Sequence, residues 1–457
     1  MDPGGDATDS LACHVLVAET GSVFSQTTTA RAICLCWASR RHFNFSIQLN
    51  MNTTTSSGTT LSLQSAPLAA RRVLQLLEKI EHGTLTVQFP DRSLKVYGNG
   101  SMPHAAISLG NWNVFSASMK SGDIGFAESY IAGDWRTPSL SDLLRVMIQN
   151  RRVVEDLIYG SWWGRMLYRV RHLLNRNHKA NSRKNIHAHY DLGNAFYELW
   201  LDHTMNYSSA LFEGDFSRSM QEAQNAKVRR ALQATDVAPG ARVLEIGCGW
   251  GALAEMATMD MGAHVTGVTL STEQLAFANA RMKWNGKADQ ADLRLQDYRD
   301  IDDGPYDAVC SIEMVEAVGQ AYWPTYFQTV SKLLKPGGKA CIQSIVIDDA
   351  LFDRYVKSTD FIQQYIFPGG CLPSPSEFRK QAQLAGLVVI DELKFGPDYA
   401  ETLRRWRHEF MAQEAQVLTL GFDTKFLRTW EFYLAYCEAA FDEANTDVIQ
   451  FTLQKAA

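Results

Sequence analysis

The chain has 457 residues, 46% hydrophobic and 21% charged, a balance that excludes a mostly disordered or collagen-like protein. With 44 Lys and Arg against 50 Asp and Glu, the net charge is −6, which argues against a general nucleic-acid binder. Eight scattered cysteines without a Cys-x-x-Cys pair exclude a disulfide scaffold and predict a reducing compartment. No run of eighteen apolar residues occurs, so the sequence predicts no membrane-spanning segment.

The first sixty residues differ from the rest of the chain. They show little helical or strand periodicity, and residues 52–60 (NTTTSSGTT) form a polar run typical of a linker. We therefore expect residues 1–60 to be a disordered N-terminal extension. Met51 stands just before the polar run, which gives the hypothesis that the natural chain starts there. A flexible tail that starts at Met1 is the alternative.

Residues 61–170 are predicted to form a small α+β domain that faces lipid. Apolar residues have helical spacing over Leu68 to Glu81. Residues Thr84 to Val96 alternate around a Pro-Asp turn and predict a hairpin. The segment Gly122 to Trp135 (GDIGFAESYIAGDW) is punctuated by glycines and is predicted to be helical in its middle.

A basic stretch follows this domain, because no acidic residue occurs between Asp156 and Asp191. Aromatic residues, including Trp162, Trp163 and Tyr168, are interleaved with seven arginines and lysines. A basic helix edged with aromatics suits anionic lipid headgroups, which predicts contact with a phospholipid bilayer surface. The alternative is a solvated helix that joins two domains.

Residues 171–457 are predicted to be an α/β catalytic domain. Short apolar runs alternate with helical patterns, which indicates a mostly parallel sheet covered on both faces. The predicted strands are Arg242 to Ile246, His264 to Val268, Asp307 to Ser311 and Ala340 to Ile347. The predicted helices are Gly251 to Met259, Thr272 to Lys283 and Tyr322 to Leu334, with a tail of aromatic-rich helices from Tyr399 to Ala457.

A strand runs into a glycine loop and then into a helix over residues 243–251 (VLEIGCGWG). Gly247 and Gly249 would let the backbone approach a ligand closely, and the helix N-terminus offers unpaired N–H groups. Glu245 is placed to accept a hydrogen bond from a ligand ammonium group. This pattern differs from the dinucleotide fingerprint and from the P-loop.

Two further strand ends carry residues that suit the same ligand. The second strand ends in GVTLS (267–271), whose polar side chains can reach a ribose. QDYRD (296–300) places a carboxylate beside an aromatic ring, which suits an amino group on a flat ring. Together the three strand ends predict a binding site for S-adenosylmethionine (SAM). No metal is predicted, because His187 and His189 are the only closely paired histidines and nothing completes a site around them.

At these positions the sequence resembles the cyclopropane-fatty-acid synthase family of SAM-dependent methyltransferases, over roughly residues 65 to 450. The matching segments are HYDLGN (189–194), MNYSSA (205–210), LEIGCGWG (244–251), QDYRD (296–300), SIEMVEAVG (311–319), LKPGG (334–338), YIFPGGCLPS (365–374) and FGPDYAETL (395–403). The resemblance implies a Rossmann-like class I methyltransferase domain with helical insertions that form an acyl tunnel. It also implies a cytoplasmic enzyme, peripheral on the inner face of the membrane, with a homodimer as one possibility.

The implied reaction transfers the SAM methyl group to the cis double bond of an unsaturated phospholipid acyl chain. A carbocation results, and it forms a cyclopropane after losing a proton to a bound bicarbonate. The resemblance assigns Glu316, Tyr399 and the backbone of Ile345 to the bicarbonate site. Ser209 and Gln343 stand where the family has a cysteine and a histidine, and both can still donate hydrogen bonds to a carbonate oxygen.

For the cofactor, the resemblance and the glycine loop together give a set of residues that would contact SAM. This set is Tyr207, Ser208, Glu245, Gly247, Gly249, Thr269, Gln274, Asp297 and Tyr298.

The departures from the family pattern leave alternatives open. Ala317 also replaces a histidine that is common after the glutamate. One alternative is a C-methyltransferase that gives a methyl or methylene product without ring closure. An inactive lipid-binding module is a second, although the intact glycine loop argues against it. A methyltransferase for a small soluble molecule is a third, and it would not need the N-terminal domain.

Overall fold

The structure is a computed structural model that describes residues 66–154 and 192–457. The extension expected over residues 1–60, Met51, the basic stretch after Asp156 and the boundary predicted at 170/171 all lie outside the described residues. Within those two ranges, no helix is long and apolar enough to cross a membrane.

The N-terminal unit, which we define as residues 66–154, combines a small sheet with helices. Its elements are α1 (Leu68–Leu77), β1 (Thr84–Gln88), β2 (Leu94–Gly98), β3 (His104–Leu109), α2 (Asn113–Ala132), β4 (Trp135–Arg136) and α3 (Leu140–Gln149). The strand order is β2-β1-β3-β4. Strands β1 and β2 pair antiparallel, which confirms the predicted hairpin, whereas β1 and β3 are parallel. Gly122, with φ 64°, interrupts helix α2 where the sequence predicted glycine punctuation.

The second sheet is the centre of the region from residue 192 to 457. Its strands are β5 (Arg242–Ile246), β6 (His264–Thr269), β7 (Ala291–Leu295), β8 (Tyr306–Ile312), β9 (Leu334–Ile347), β10 (Leu387–Lys394) and β11 (Thr446–Lys455). Their order is β10-β11-β9-β8-β5-β6-β7. Neighbours from β9 to β7 are parallel, and β11 is antiparallel to both of its neighbours. The predicted α/β class with a mostly parallel sheet is therefore confirmed.

Helices connect and cover these strands. They are α4 (Asn194–Tyr197), α5 (Met220–Ala234), α6 (Ala252–Met259), α7 (Thr272–Trp284), α8 (Val315–Val318), α9 (Trp323–Leu333), α10 (Asp349–Tyr355), α11 (Phe361–Tyr365), α12 (Pro375–Leu384), α13 (Gly396–Ala412), α14 (Glu414–Thr419) and α15 (Thr424–Asp442). Capping side chains fix the residues at which several of these helices begin. Ser219 and Glu222 form a capping box at the N-terminus of α5, and the Ser271 side chain caps the N-terminus of α7. The three predicted helices between strands are confirmed as α6, α7 and α9.

The N-terminal unit packs against the last long helices. One hydrophobic core contains Val87 and Leu144 of the unit together with Phe432 and Tyr433 of α15. At the edge of this core, Arg145 Nε lies 2.8 Å from Glu443 Oε1. Burial of this shared apolar surface therefore holds the small sheet against the catalytic region.

The C-terminal tail corrects the sequence prediction. Residues 446–455 were predicted to be helical, but they form β11, an interior strand between β9 and β10. Val448 to Leu453 are all buried, so this strand lacks the polar–apolar alternation that identifies a half-buried strand. Strand β10 was also missed, and β7 was predicted only through its end, before QDYRD (296–300).

The interior position of β11 predicts a large stability cost for a change of a buried side chain within it. Phe451 is fully buried and stacks on Phe378 with ring centroids 3.8 Å apart. We expect Phe451→Ala to lower the free energy of unfolding by about 3–5 kcal/mol, as measured by urea denaturation. Leu418→Ala, at a residue 41% exposed, is the control and should cost less than about 1 kcal/mol. Equal losses would contradict the role of β11 in the core.

Candidate active site

Two adjacent cavities meet beside the ends of β5 and β8. The described residues enclose a larger cavity of about 400 Å³, which we call the apolar cavity, and a smaller one of about 130 Å³, which we call the cofactor cavity. Tyr207, Glu313, Met314 and Ala317 line both. These four residues therefore form the boundary across which a group would pass from one cavity to the other.

The cofactor cavity brings together every residue that the sequence assigned to SAM. Its lining includes Tyr207, Ser208, Glu245, Gly247, Gly249, Thr269, Gln274, Asp297 and Tyr298. Gly249 has φ +49°, and a Cβ built there would meet no heavy atom within 4 Å, so this stretch of backbone is open to a ligand.

An unpartnered carboxylate oxygen in this cavity tests whether a cationic cofactor fits. Glu245 is 4% exposed, and its Oε2 atom finds no hydrogen-bond partner among the described residues. Burial raises the pKa of Glu245 well above its usual range, and the charge of Lys227 opposes that rise. A ligand ammonium group would supply the missing partner. The site therefore fits SAM, which carries an ammonium group and a sulfonium.

The loop that carries Tyr207 and Ser208 is held in place by helix α13. Asp398 Oδ2 accepts hydrogen bonds from the backbone N–H groups of Phe212 and Glu213, at 2.6 and 3.0 Å. The Ala210 backbone N–H also donates to Thr402 Oγ1 at 3.1 Å, which joins the segments MNYSSA and FGPDYAETL directly. Ser208 also accepts a 2.6 Å hydrogen bond from the fully buried Lys227, whose pKa is lowered to about 8 by burial.

Asp297 and Tyr298 already make contacts within the protein. Asp297 forms a close ion pair with Arg299, at 2.6 Å between Oδ2 and Nη2. Tyr298 packs edge-on against Tyr326, with ring centroids 5.6 Å apart. Both residues line the cofactor cavity, and their assignment to the adenine ring stays a prediction.

The centre of the boundary between the cavities is Glu313, a residue that the sequence analysis did not assign. Its carboxylate accepts hydrogen bonds from the Ser209 backbone N–H at 2.9 Å, Gln343 Nε2 at 2.8 Å and the Tyr399 hydroxyl at 2.7 Å. Glu313 has φ 52°, a left-handed conformation that non-glycine residues rarely adopt. Three of the residues predicted to hold bicarbonate thus hold a carboxylate of the protein itself.

A chain of hydrogen bonds fixes the direction in which Gln343 points. Arg230 Nη1 donates to Gln450 Oε1 at 2.7 Å, and Gln450 Nε2 donates to Gln343 Oε1 at 2.9 Å. Because a guanidinium can only donate, each amide in this chain must present its NH₂ group to the next acceptor. The last acceptor is Glu313, so the chain presents a donor to its carboxylate.

The other predicted catalytic residues differ in how they face the apolar cavity. Glu316, Ile345 and Tyr399 line it, whereas Ser209 and Gln343 are fully buried and do not. The Ser209 hydroxyl donates to the carbonyl of Ala210, so only its backbone N–H reaches the site. The Ile345 backbone N–H donates to Glu316 Oε1. Ser209 and Gln343 therefore act on Glu313 and do not face a ligand directly.

The two glutamates have different surroundings and different protonation. Burial raises the pKa of Glu316 to about 8, and the neighbouring Glu313 adds to the rise. Burial also raises the pKa of Glu313, but Ser209, Tyr399, Lys227 and Gln343 all lower it. Glu313 accepts from three donors, while Glu316 Oε2 has no partner among the described residues. At neutral pH we therefore assign the charge to Glu313 and the proton to Glu316.

This arrangement suits group transfer into an apolar space. A cationic donor in the cofactor cavity would face the apolar cavity across Glu313, and a carboxylate there can accept a proton away from water. Among the described residues, no group of three or more His, Cys, Asp or Glu is placed to hold a metal ion. Glu313 follows β8, so its position at a strand end was the signal that could have identified it.

The raised pKa of Glu316 predicts how stability depends on pH. The unfolded carboxyl ionises near 4.5 and the folded one keeps its proton up to about 8, so wild-type stability falls as the pH rises through this window. The glutamine of the Glu316→Gln variant does not ionise, so the variant lacks this pH-dependent loss of stability. We expect the free energy of unfolding of the variant, minus that of the wild type, to increase by about 1–3 kcal/mol between the two ends of this pH window. Urea unfolding at several pH values measures the difference. Glu409→Gln, at an exposed glutamate, is the control, and parallel curves for Glu316→Gln and wild type would contradict the assignment.

Comparisons with known proteins identify the relatives of this chain. The family model for mycolic acid cyclopropane synthetase matches residues 177–451. The tuberculostearic acid methyltransferase UfaA1 of Mycobacterium tuberculosis is 40% identical over 73% of this chain and 79% of its own length. The cyclopropane-fatty-acyl-phospholipid synthase of Escherichia coli K12 is 32% identical over 78% of this chain and 89% of its own length.

Solved structures show the same fold. The mycolic acid cyclopropane synthase CmaA1, complexed with S-adenosylhomocysteine (SAH) and CTAB, matches with a TM-score of 0.56 and 32% identity. The match covers 60% of this chain and 98% of that chain. Coclaurine N-methyltransferase, bound to SAH, has a TM-score of 0.55 at 17% identity and supports the fold alone. The chain belongs to the mycolic acid cyclopropane synthetase family and is a SAM-dependent methyltransferase of the class I fold.

Proposed function

We propose that this protein methylates the double bond of an unsaturated fatty acyl chain and gives a methylene product, with Glu313 as the proton acceptor. The observation that carries the proposal is the Glu313 carboxylate, which receives three hydrogen bonds at the boundary of the two cavities. In this proposal Glu313 takes the place of a bound bicarbonate, so the reaction needs no such ion.

The chain's own residues would do three things in the reaction. SAM, when bound, supplies an electrophilic methyl group, and the residues of the cofactor cavity hold it. Methylation of an alkene leaves a carbocation on the neighbouring carbon, so the apolar lining must exclude water. A hydride shift moves the cation to the methylated carbon. Glu313 then takes a proton from the new methyl group, and the electrons of that C–H bond form the double bond of a methylene group that branches from the chain.

Ring closure is the second candidate function. It differs only in that the C–H electrons close a three-membered ring before the hydride moves. The match to the E. coli cyclopropane-fatty-acyl-phospholipid synthase over 89% of that protein favours it. The higher identity, 40%, to a protein named as a tuberculostearic acid methyltransferase favours a product without a ring. A base fixed by the protein also differs from the mobile anion expected for ring-forming relatives.

The proposed substrate is an acyl chain of a membrane phospholipid, which the enzyme would reach as a peripheral protein. Support comes from the apolar cavity, whose lining suits a hydrocarbon chain, and from the phospholipid named for the E. coli relative. Such an enzyme would bind vesicles more strongly at low salt if basic residues contact the headgroups.

The first test incubates purified full-length protein with SAM and vesicles of a monounsaturated anionic phospholipid. Proton NMR of the recovered chains should show the signal of a terminal C=CH₂ group on a branched chain. Upfield cyclopropyl protons would instead establish ring closure and the second candidate. A parallel incubation with the matching acyl-CoA separates a phospholipid from a soluble acyl donor. No methylated product from either donor would overturn the proposed function.

A second test removes the proposed base. Glu313→Gln keeps the size and two of the hydrogen-bond partners but cannot take a proton, so we expect turnover to fall by about 10²-fold or more. Binding of SAM, measured by calorimetry, should change little. Glu409→Gln on the exposed face of α13 is the matched control and should keep full activity.

Bicarbonate distinguishes a resident base from a bound ion. Wild-type turnover should be the same in bicarbonate-free buffer and in added bicarbonate. Glu313→Ala vacates the position of the carboxylate, so bicarbonate should restore part of its activity. A wild-type enzyme that requires bicarbonate, together with an active Glu313→Gln variant, would contradict the role of Glu313.

A further inference from the structure

The apolar cavity continues from the two glutamates into the N-terminal unit. Glu313 and Glu316 line it on the catalytic side. On the other side its walls come from α1, β1, β3, α2 and α3. A single space therefore runs from the boundary with the cofactor cavity to the small sheet.

The small sheet presents one apolar face to this space. Leu85 and Val87 alternate along β1, and Ile107 and Leu109 alternate along β3, so all four lie on the same face. Val87 and Ile107 are partners in the parallel register. All four side chains are at most 8% exposed. The sheet thus forms a continuous hydrocarbon wall.

Helix α1 extends this wall without adding a polar group. Val73 and Leu77 lie one turn apart on α1, and both line the cavity. The lining residues from α1, β1 and β3 are all aliphatic. A carboxyl, ester or phosphate buried there would lose its hydrogen bonds to water without replacement, which is costly. This end of the cavity suits only the methyl-terminal part of a chain.

The matched family model does not include this wall. The family model begins at residue 177, and the match to CmaA1 covers 98% of that chain but only 60% of this one. The sheet of the N-terminal unit lies before residue 177. Its wall is therefore an addition to the shared methyltransferase domain.

We infer that the face formed by Leu85, Val87, Ile107 and Leu109 binds the methyl-terminal segment of the acyl chain. By limiting the length of that segment, the face sets which carbon reaches Glu313. The enzyme therefore selects its substrate by the number of carbons between the double bond and the terminal methyl. This inference rests on the proposed function and adds a specificity-determining surface to it.

Three phospholipid acyl chains test this inference, because they vary the length on the carboxyl side of the double bond independently of the length on its methyl side. Two have the double bond at carbon nine, with sixteen and eighteen carbons in all. The third has eighteen carbons and the double bond at carbon eleven. The first and third chains share a seven-carbon methyl-terminal segment, whereas the second has nine carbons there. All three are offered in the same vesicles, and their products are compared.

Val87→Phe adds bulk to the proposed wall and should shorten the space for the methyl-terminal segment. We expect the variant to lose about tenfold in relative turnover on the chain with nine terminal carbons, because two methylenes lose their burial. Turnover on both seven-carbon chains should change little. Thr86→Phe, on the opposite face of the same strand, is the matched control and should leave the preference unchanged. Val87→Leu adds one methylene and gives a smaller shift of the same kind if the larger variant does not fold.

The other outcomes overturn the inference. A selective loss on the chain unsaturated at carbon eleven would place the carboxyl side of the substrate in the N-terminal unit. An unchanged preference in folded Val87→Phe and Val87→Leu would show that this wall does not contact the chain. If the wild-type protein methylates none of the three chains, the proposed function itself is contradicted. This result differs from the two above, in which the wild-type protein is active.

Discussion

The boundary between the two cavities depends on one buried carboxylate, that of Glu313. A charge in an apolar interior is stable only when donors and opposite charges compensate for lost hydration. Here the compensation comes from three directions, because Ser209, Gln343 and Tyr399 belong to a loop, a strand and a helix that are distant in sequence. Keeping these donors in place constrains the relative positions of all three elements.

The same network explains why polar residues occupy the interior of the sheet. Gln343 and Gln450 lie on paired strands β9 and β11 and are both fully buried. A buried amide without hydrogen-bond partners would lower the stability of the fold. Here the two amides bond to each other and connect the partly exposed Arg230 to Glu313. Lys227, also buried, adds a positive charge nearby. The buried amides thus replace hydrocarbon packing with a fixed orientation of the Gln343 amide toward Glu313.

The N-terminal unit closes the side of the apolar cavity that the catalytic region does not enclose. Carbocation chemistry requires a dry space, and the shared core of the unit and α15 closes one side of the apolar cavity. Asp123 shows how closely the two regions fit, since its carboxylate accepts hydrogen bonds from the Phe361 backbone and the Tyr436 hydroxyl, both at 3.2 Å. The surface that we propose to bind the acyl chain would therefore also exclude water from the apolar cavity.

The sequence by itself determined the parallel sheet, the glycine loop and the strand-end residues of the cofactor cavity, because strand ends and turn chemistry are local properties; Tyr207 and Ser208 came from the resemblance to the family. It missed β11, since a strand buried on both faces shows no alternation. It also passed over Glu313 and placed Ser209 and Gln343 against a bound anion. Only the tertiary structure could decide that point, because the donors to Glu313 lie up to 104 residues away and their meeting depends on how the elements pack.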